Sequence, residues 1–154
     1  MECHCIAKIA RGEAYAASII PVERAVKTSV RAKGTETILV VDDEDMIWEI
    51  LIDNLQDLGY TVILAENGLD AVEIYQENPG LVDIVILDMV MPKMNGREAF
   101  AELKKIDDDV NIILSSGYMA EGEASDLLQT GAKTFLRKPY KMIDLARKIR
   151  QILD

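Results

Sequence analysis

Asp42 and Asp43 directly follow the apolar run Thr37-Ile38-Leu39-Val40-Val41, and Asp88 directly follows Ile84-Val85-Ile86-Leu87. Ser115 closes Ile112-Ile113-Leu114, while Thr134-Phe135-Leu136 leads through Arg137 to Lys138 and Pro139. Short continuous apolar runs bounded by turn residues read as strands buried on both faces of a parallel sheet. The carboxyl ends of such strands are where open α/β sheets place their ligand sites. Here those ends carry a carboxylate pair, a single carboxylate, a hydroxyl and an ammonium. Three carboxylates crowded together resist full ionisation unless a cation joins them. The hard, oxygen-seeking Mg²⁺ suits such a set, with a backbone carbonyl, waters and a phosphoryl oxygen completing its shell. Mg²⁺ and Lys138 together balance the three negative charges, so the loaded site is neutral.

The rest of the chain must bring these ends together. From Thr37 the pattern alternates strand and helix. A helix runs to about Leu58, with Asp45 a plausible N-cap, Ile47, Leu51, Leu55 and Leu58 at helical spacing, and Gly59 as its stop. Thr61 to Ala65 is the second strand, and Asn67 caps a helix reaching about Asn78 with Ala71, Val72 and Tyr75 inward. The third strand is 83–87, and a helix from Arg97 buries Ala99, Phe100, Leu103 and Ile106. Val110 to Leu114 is the fourth strand, followed by a more polar helix from Glu121 to Thr130. Lys133 to Leu136 is the fifth, and Met142, Leu145, Ala146, Ile149, Ile152 and Leu153 make one stripe of a last helix. Five strand–helix units with short connections predict a five-stranded parallel sheet with helices on both faces. The order 2-1-3-4-5, that of the flavodoxin-like folds, puts the switch point between strands 1 and 3, where Asp42, Asp43 and Asp88 meet. A Rossmann order is the other possible arrangement, yet the first turn has no Gly-x-Gly-x-x-Gly.

Composition narrows the function classes. The chain has 154 residues, 49% of them hydrophobic, which is one ordinary domain with a tail rather than a disordered chain. Net charge is −10, unevenly spread: residues 1–36 carry +2 and residues 37–154 carry −12. An acidic body repels nucleic-acid phosphates, so direct nucleic-acid binding is not expected. No apolar run spans a membrane and no secretory signal is visible, so a cytoplasmic protein is expected. Cys3, His4 and Cys5 sit too close together for the usual zinc loops and read as part of an unstructured terminus. Ser18 to Val22 reads as a short strand within a leader, residues 1–36, whose boundary lies near Gly34.

At four strand ends the residues resemble the receiver domain of two-component response regulators. The resemblance rests on Val-Val-Asp42-Asp43-Glu, on Leu87-Asp88-Met-Val-Met-Pro92-Lys-Met-Asn-Gly96, on Leu-Ser115-Ser-Gly-Tyr and on Phe135-Leu-Arg-Lys138-Pro139. It covers residues 37–154. It implies that Asp88 takes a phosphoryl group from the phosphohistidine of a sensor histidine kinase or phosphotransfer protein. It implies that Asp43 binds Mg²⁺ directly, Asp42 largely through water, and that the Val90 carbonyl completes the protein ligands. Ser115 is expected to hydrogen-bond the attached phosphoryl and Lys138 to pair with it. Lys138-Pro139 is a candidate cis peptide. Phosphorylation is expected to draw Ser115 inward and let Phe135 turn into the vacated space. That reshapes the surface of the fourth helix, fifth strand and fifth helix for an effector protein or a second copy. Val90 and Gly117 stand at the two variable positions that such domains use to set dephosphorylation, and an apolar Val90 implies slow loss of the phosphoryl group. The chain is thus read as a signalling phosphoacceptor rather than an enzyme acting on a separate substrate, though it catalyses its own phosphorylation.

Other readings fit less well. Asp42 and Asp43 alone could simply favour a helix dipole, but that leaves Asp88 and Lys138 unexplained. A haloacid-dehalogenase-type phosphatase needs a second acid two residues after its nucleophile, where Val90 stands. A flavodoxin-like phosphate binder would be repelled by Asp42-Asp43-Glu44-Asp45. A receiver fold that signals by docking alone is the remaining alternative, and it should lack one of the key residues. Trp48 reads as packing near the acids, and Met89, Met91 and Met94 as core and turn filler. The leader, through Ile19-Ile20-Pro21 and Lys33-Gly34, weakly resembles the junction before a terminal receiver in hybrid sensor kinases. A free-standing regulator and a hybrid-kinase fragment both remain open, with no output domain expected after the last helix.

Overall fold

A computed structural model describes residues 33–117 and 121–154. The expected short strand at Ser18–Val22 and the Cys3/His4/Cys5 terminus lie outside the described residues. Five parallel strands form one sheet: β1 (Thr37–Val41), β2 (Thr61–Ala65), β3 (Ile84–Asp88), β4 (Ile112–Ser116) and β5 (Thr134–Arg137). They alternate with α1 (Asp45–Asp57), α2 (Gly68–Glu77), α3 (Gly96–Ile106), α4 (Glu121–Gln129) and α5 (Met142–Leu153). The strand order is β2-β1-β3-β4-β5, as expected. Both neighbours of β1 run parallel to it, with Val41 in register with Ala65 on one side and Leu87 on the other. None of the described helices is long and apolar enough to cross a membrane.

Period-two alternation divides the core between the two sheet faces. Leu39, Val41, Val85, Leu87, Ile112 and Leu114 pack with Ala71, Phe100 and Leu103, on the side of α2, α3 and α4. Ile38, Val40, Ile84, Ile86, Ile113 and Leu136 pack with Leu51, Ile52, Leu55, Leu145, Ala146 and Ile149, on the side of α1 and α5. Ile106 is exposed in the last turn of α3 instead of joining the buried face. Complete burial of a Leu or Ile side chain contributes about 2 kcal/mol, so the continuous apolar strands supply most of what holds the sheet.

Caps define the helices that flank the crevice. Asn67 caps α2 by accepting from the Asp70 N–H at 2.9 Å. Asn95 and Glu98 form a reciprocal capping box on α3, at 2.9 and 3.1 Å. The first helix differs from expectation. Glu44, not Asp45, is its N-cap, and Glu44 makes no side-chain cap bond. Gly96 sits where a Cβ would come within 2.6 Å of the Asp88 carbonyl oxygen and 2.5 Å of the Met89 Cα. Only glycine lets α3 begin against the end of β3.

Three strands shift from the sequence reading, the fifth by one residue to Thr134–Arg137. Asp88 is itself the last residue of β3, and β4 extends through Ser116. The start of β4 moves because residues 107–110 close a turn: Asp107 accepts the N–H of Asp109 on its carboxylate and of Val110 on its carbonyl. Val110 is therefore buried, yet precedes the strand.

Candidate acidic site

The carboxyl ends of β1 and β3 lie side by side, and they bring the acids together. Carboxylate oxygens of Asp42, Asp43 and Asp88 all lie within 4.8 Å of one another. Asp42 and Asp88 are buried, at 3% and 5% exposure, whereas Asp43 is exposed. Asp42 is in place because its Oδ1 accepts the Glu44 N–H at 2.9 Å, bending the chain into α1. Asp88 is in place because β3 is anchored on both sides, by β1 and by β4.

Lys138 arrives from the end of β5, where its N–H donates to the Ser116 carbonyl at 2.9 Å. Its Nζ donates to Asp42 Oδ2 at 2.9 Å and lies 3.5 Å from Asp88 Oδ1 and 3.7 Å from Glu44 Oε1. The Lys138–Pro139 peptide bond is cis. Burial pushes the Asp88 carboxyl up to about 6; the Asp42 charge adds to this, and Lys138 only partly opposes it. Burial alone would lower Lys138, but its bond to Asp42 and the surrounding carboxylate charges hold it above the ordinary lysine value.

This donor set consists of carboxylate oxygens, with no histidine or thiolate in the cluster. Oxygen donors of net negative charge fit a hard divalent cation. Asp42, Asp43 and Asp88 would hold such a cation, which with the Lys138 ammonium 3.5 Å from Asp88 would supply positive charge for an anionic group brought to this crevice.

The two serines at the end of β4 are both 1% exposed. Ser115 is in register with Asp88 and Ser116 with Arg137. Alternation from Ile113 puts Ser115 on the α1/α5 side, and alternation from Leu114 puts Ser116 on the α2/α3/α4 side. Phe135 packs on that second side. The expected coupling of Ser115 to Phe135 therefore meets an obstacle: the sheet lies between them. Ser116 shares the Phe135 face and stands one residue closer to the carboxyl edge. The sequence reading passed over Ser116 because it ended the strand too early. Counting the alternation forward from Ile112 would have found it.

Two further contacts were also not read from sequence. Glu44 stands near Lys138, and the Trp48 indole N–H donates to the Asp42 carbonyl. Val90 is 68% exposed beside Asp88, and its N–H is 3.4 Å from Asp88 Oδ1.

Residues 38–150 match the family model described as the response regulator receiver domain. The chain is 36% identical over 118 residues to the chemotaxis protein CheY of Bacillus subtilis, covering 76% of this chain and 97% of that protein. It is 36% identical over 138 residues to the sensor kinase CckA of Brucella abortus, covering 90% of this chain but only 15% of the kinase. Among solved structures, the CheX–CheY–BeF3–Mg²⁺ complex of Borrelia burgdorferi superposes with a TM-score of 0.74 at 29% identity. That match covers 77% of this chain and 90% of the other.

Proposed function

This chain belongs to the response regulator receiver domain family, and from that premise we propose that Asp88 is a phosphoacceptor. The observation that carries the reading is the meeting of Asp42, Asp43 and Asp88 within 4.8 Å, with the Lys138 ammonium 3.5 Å from Asp88. A carboxylate oxygen of Asp88 attacks the phosphorus of a partner's phosphohistidine. An O–P bond forms, the N–P bond breaks, and the released imidazole takes up a proton from water. Mg²⁺, held by Asp43, Asp88 and the Val90 carbonyl, with Asp42 acting through water, would offset charge on the phosphoryl oxygens. That a related CheY is described in complex with BeF3 and Mg²⁺ supports this choice of cation. Lys138 exchanges its bond to Asp42 for one to the new phosphoryl group.

We assign the phosphoryl-binding hydroxyl to Ser116 rather than Ser115, because Ser116 lies on the face of Phe135. Its inward movement opens space for Phe135 and alters the α4-β5-α5 surface, where an effector protein or a second copy docks. Residues 37–154 act as the receiver unit and residues 1–36 as its extension, a division supported by the family match over 38–150. The donor is a histidine kinase or phosphotransfer protein, and the setting is cytoplasmic.

The test is intact-protein mass after incubation with Mg²⁺ and acetyl phosphate. One Mg²⁺-dependent phosphoryl adduct on the wild type, absent from Asp88→Ala, is expected. Absence of an adduct with acetyl phosphate and with a phosphorylated kinase would leave the docking-only module as the better reading.

A further inference from the structure

We infer that Trp48 is a positioning residue for the cation-binding carboxylates, acting through the peptide that joins Asp42 to Asp43. The inference rests on the proposed Mg²⁺ reading and deepens it. The first helix starts without a side-chain cap. The Trp48 indole reaches back over a full turn and donates its N–H to the Asp42 carbonyl. That carbonyl belongs to the planar unit from which the Asp43 Cα departs. Fixing the oxygen therefore fixes that peptide plane, and with the Glu44 N–H tied to Asp42 Oδ1 on the other side of Asp43, it narrows the directions open to the exposed Asp43 carboxylate.

Every polar atom of Asp42 is committed. Its N–H donates to the Ala65 carbonyl at 3.1 Å, its Oδ1 accepts from Glu44, its Oδ2 accepts from Lys138, and its carbonyl accepts from Trp48. Asp43 takes its orientation from this neighbour. The indole ring itself packs against the α1/α5 core, so the donor is held by apolar contacts that Phe could reproduce. Trp48→Phe thus removes one N–H while keeping an aromatic ring in place.

The test titrates Mg²⁺ into the full chain by calorimetry, for wild type, Trp48→Phe and the packing control Ile47→Val. Trp48→Phe is expected to weaken Mg²⁺ binding about tenfold, the loss typical of residues that orient metal ligands. Its melting temperature without metal should stay close to that of Ile47→Val, which binds Mg²⁺ like the wild type. Equal Mg²⁺ affinity in Trp48→Phe and wild type would overturn the inference, as would equal weakening in both variants. Trp48 is the only tryptophan, so its indole proton resonance can also be followed in the unaltered chain. It should shift with Mg²⁺ along the calorimetric binding curve. An indole signal unmoved at saturation counts against the inference, whatever the variants do. A wild type that releases no heat and shows no shift removes the Mg²⁺ reading itself, and is recognisable because the failure is then in the wild type.

Discussion

Lys138 is hydrogen-bonded to Asp42 at 2.9 Å and stands 3.5 Å from Asp88, so the lysine is held by Asp42 rather than by Asp88. Asp88 is left as a buried carboxyl whose charge is poorly compensated. Its pKa is raised from 3.8 to about 6, so its contribution to stability is full below about pH 4 and is lost as pH rises through about 6. Asp88→Asn removes that penalty. In chelator, the variant should exceed the wild type by about 2 kcal/mol at pH 7, and the gain should vanish near pH 4. Denaturant melts at the two pH values check this. An equal gain at both would mean that packing, not charge, separates the two proteins.

The opposite sign is expected at the far edge of the sheet. Arg150 on α5 donates to Glu36 at 2.7 Å and to the Lys33 carbonyl at 3.0 Å, with its guanidinium over the Tyr60 ring. The hydrogen bond from Arg150 holds the Glu36 carboxyl below its ordinary value. Stability from this pair is therefore present above the ordinary glutamate value of 4.5 and is lost as pH falls through the lower folded one. Arg150→Ala should cost about 1 kcal/mol at pH 7. Part of that comes from the pair, so the gap should narrow in acid. A gap that stays constant from pH 7 to pH 3 would assign the whole cost to the lost stem and ring contact.

The two serines of β4 separate cleanly in a labelling experiment. Ser116→Ala should slow acetyl phosphate labelling of Asp88 about tenfold, the loss expected for one hydrogen bond to a charged group. Ser115→Ala should stay within about twofold, since Ser115 stands one residue further from the carboxyl edge and across the sheet from Phe135. The reverse ranking would return the role to Ser115.

Val90 offers no hydrogen-bonding side chain at an exposed position beside the acceptor. Phosphorylated wild type should therefore last for minutes or longer at neutral pH. Val90→Asn, which can orient a water, should shorten that lifetime about tenfold. Adduct decay followed by mass spectrometry decides the matter, and a wild-type half-life of seconds would contradict the expectation.

Much of this was legible in sequence because buried parallel strands leave an unmistakable trace. Ile84 to Leu87 and Ile38 to Val41 have nothing but apolar residues, so their polar neighbours Asp88 and Asp42 stood out as strand ends. The order of the sheet was read from the strand–helix alternation and from the missing glycine-rich turn after the first strand. What escaped were features that depend on one residue of register. β4 runs on past its expected end through Ser116, and this brings into the strand the serine that shares the face of Phe135. Side chain-to-backbone bonds escaped as well. Neither the missing cap on α1 nor the reach of Trp48 leaves a periodic signal, since a Trp at a half-buried helix position reads the same whether or not its N–H has a partner.

The contact at Gly96 also determines where motion can go. The chain beyond Asp88 is tied down at once: Gly96 N–H bonds the Met89 carbonyl, Gly68 N–H bonds the Met94 carbonyl, and the Asn95–Glu98 box locks the start of α3. A Cβ at position 96 would collide with the backbone of β3, so no slack is stored there. The strand that ends at Asp88 and the helix that follows it are thus held against one another. On the proposed reading, a displacement begun at Asp88 would find its outlet across β4 and β5 rather than along its own chain.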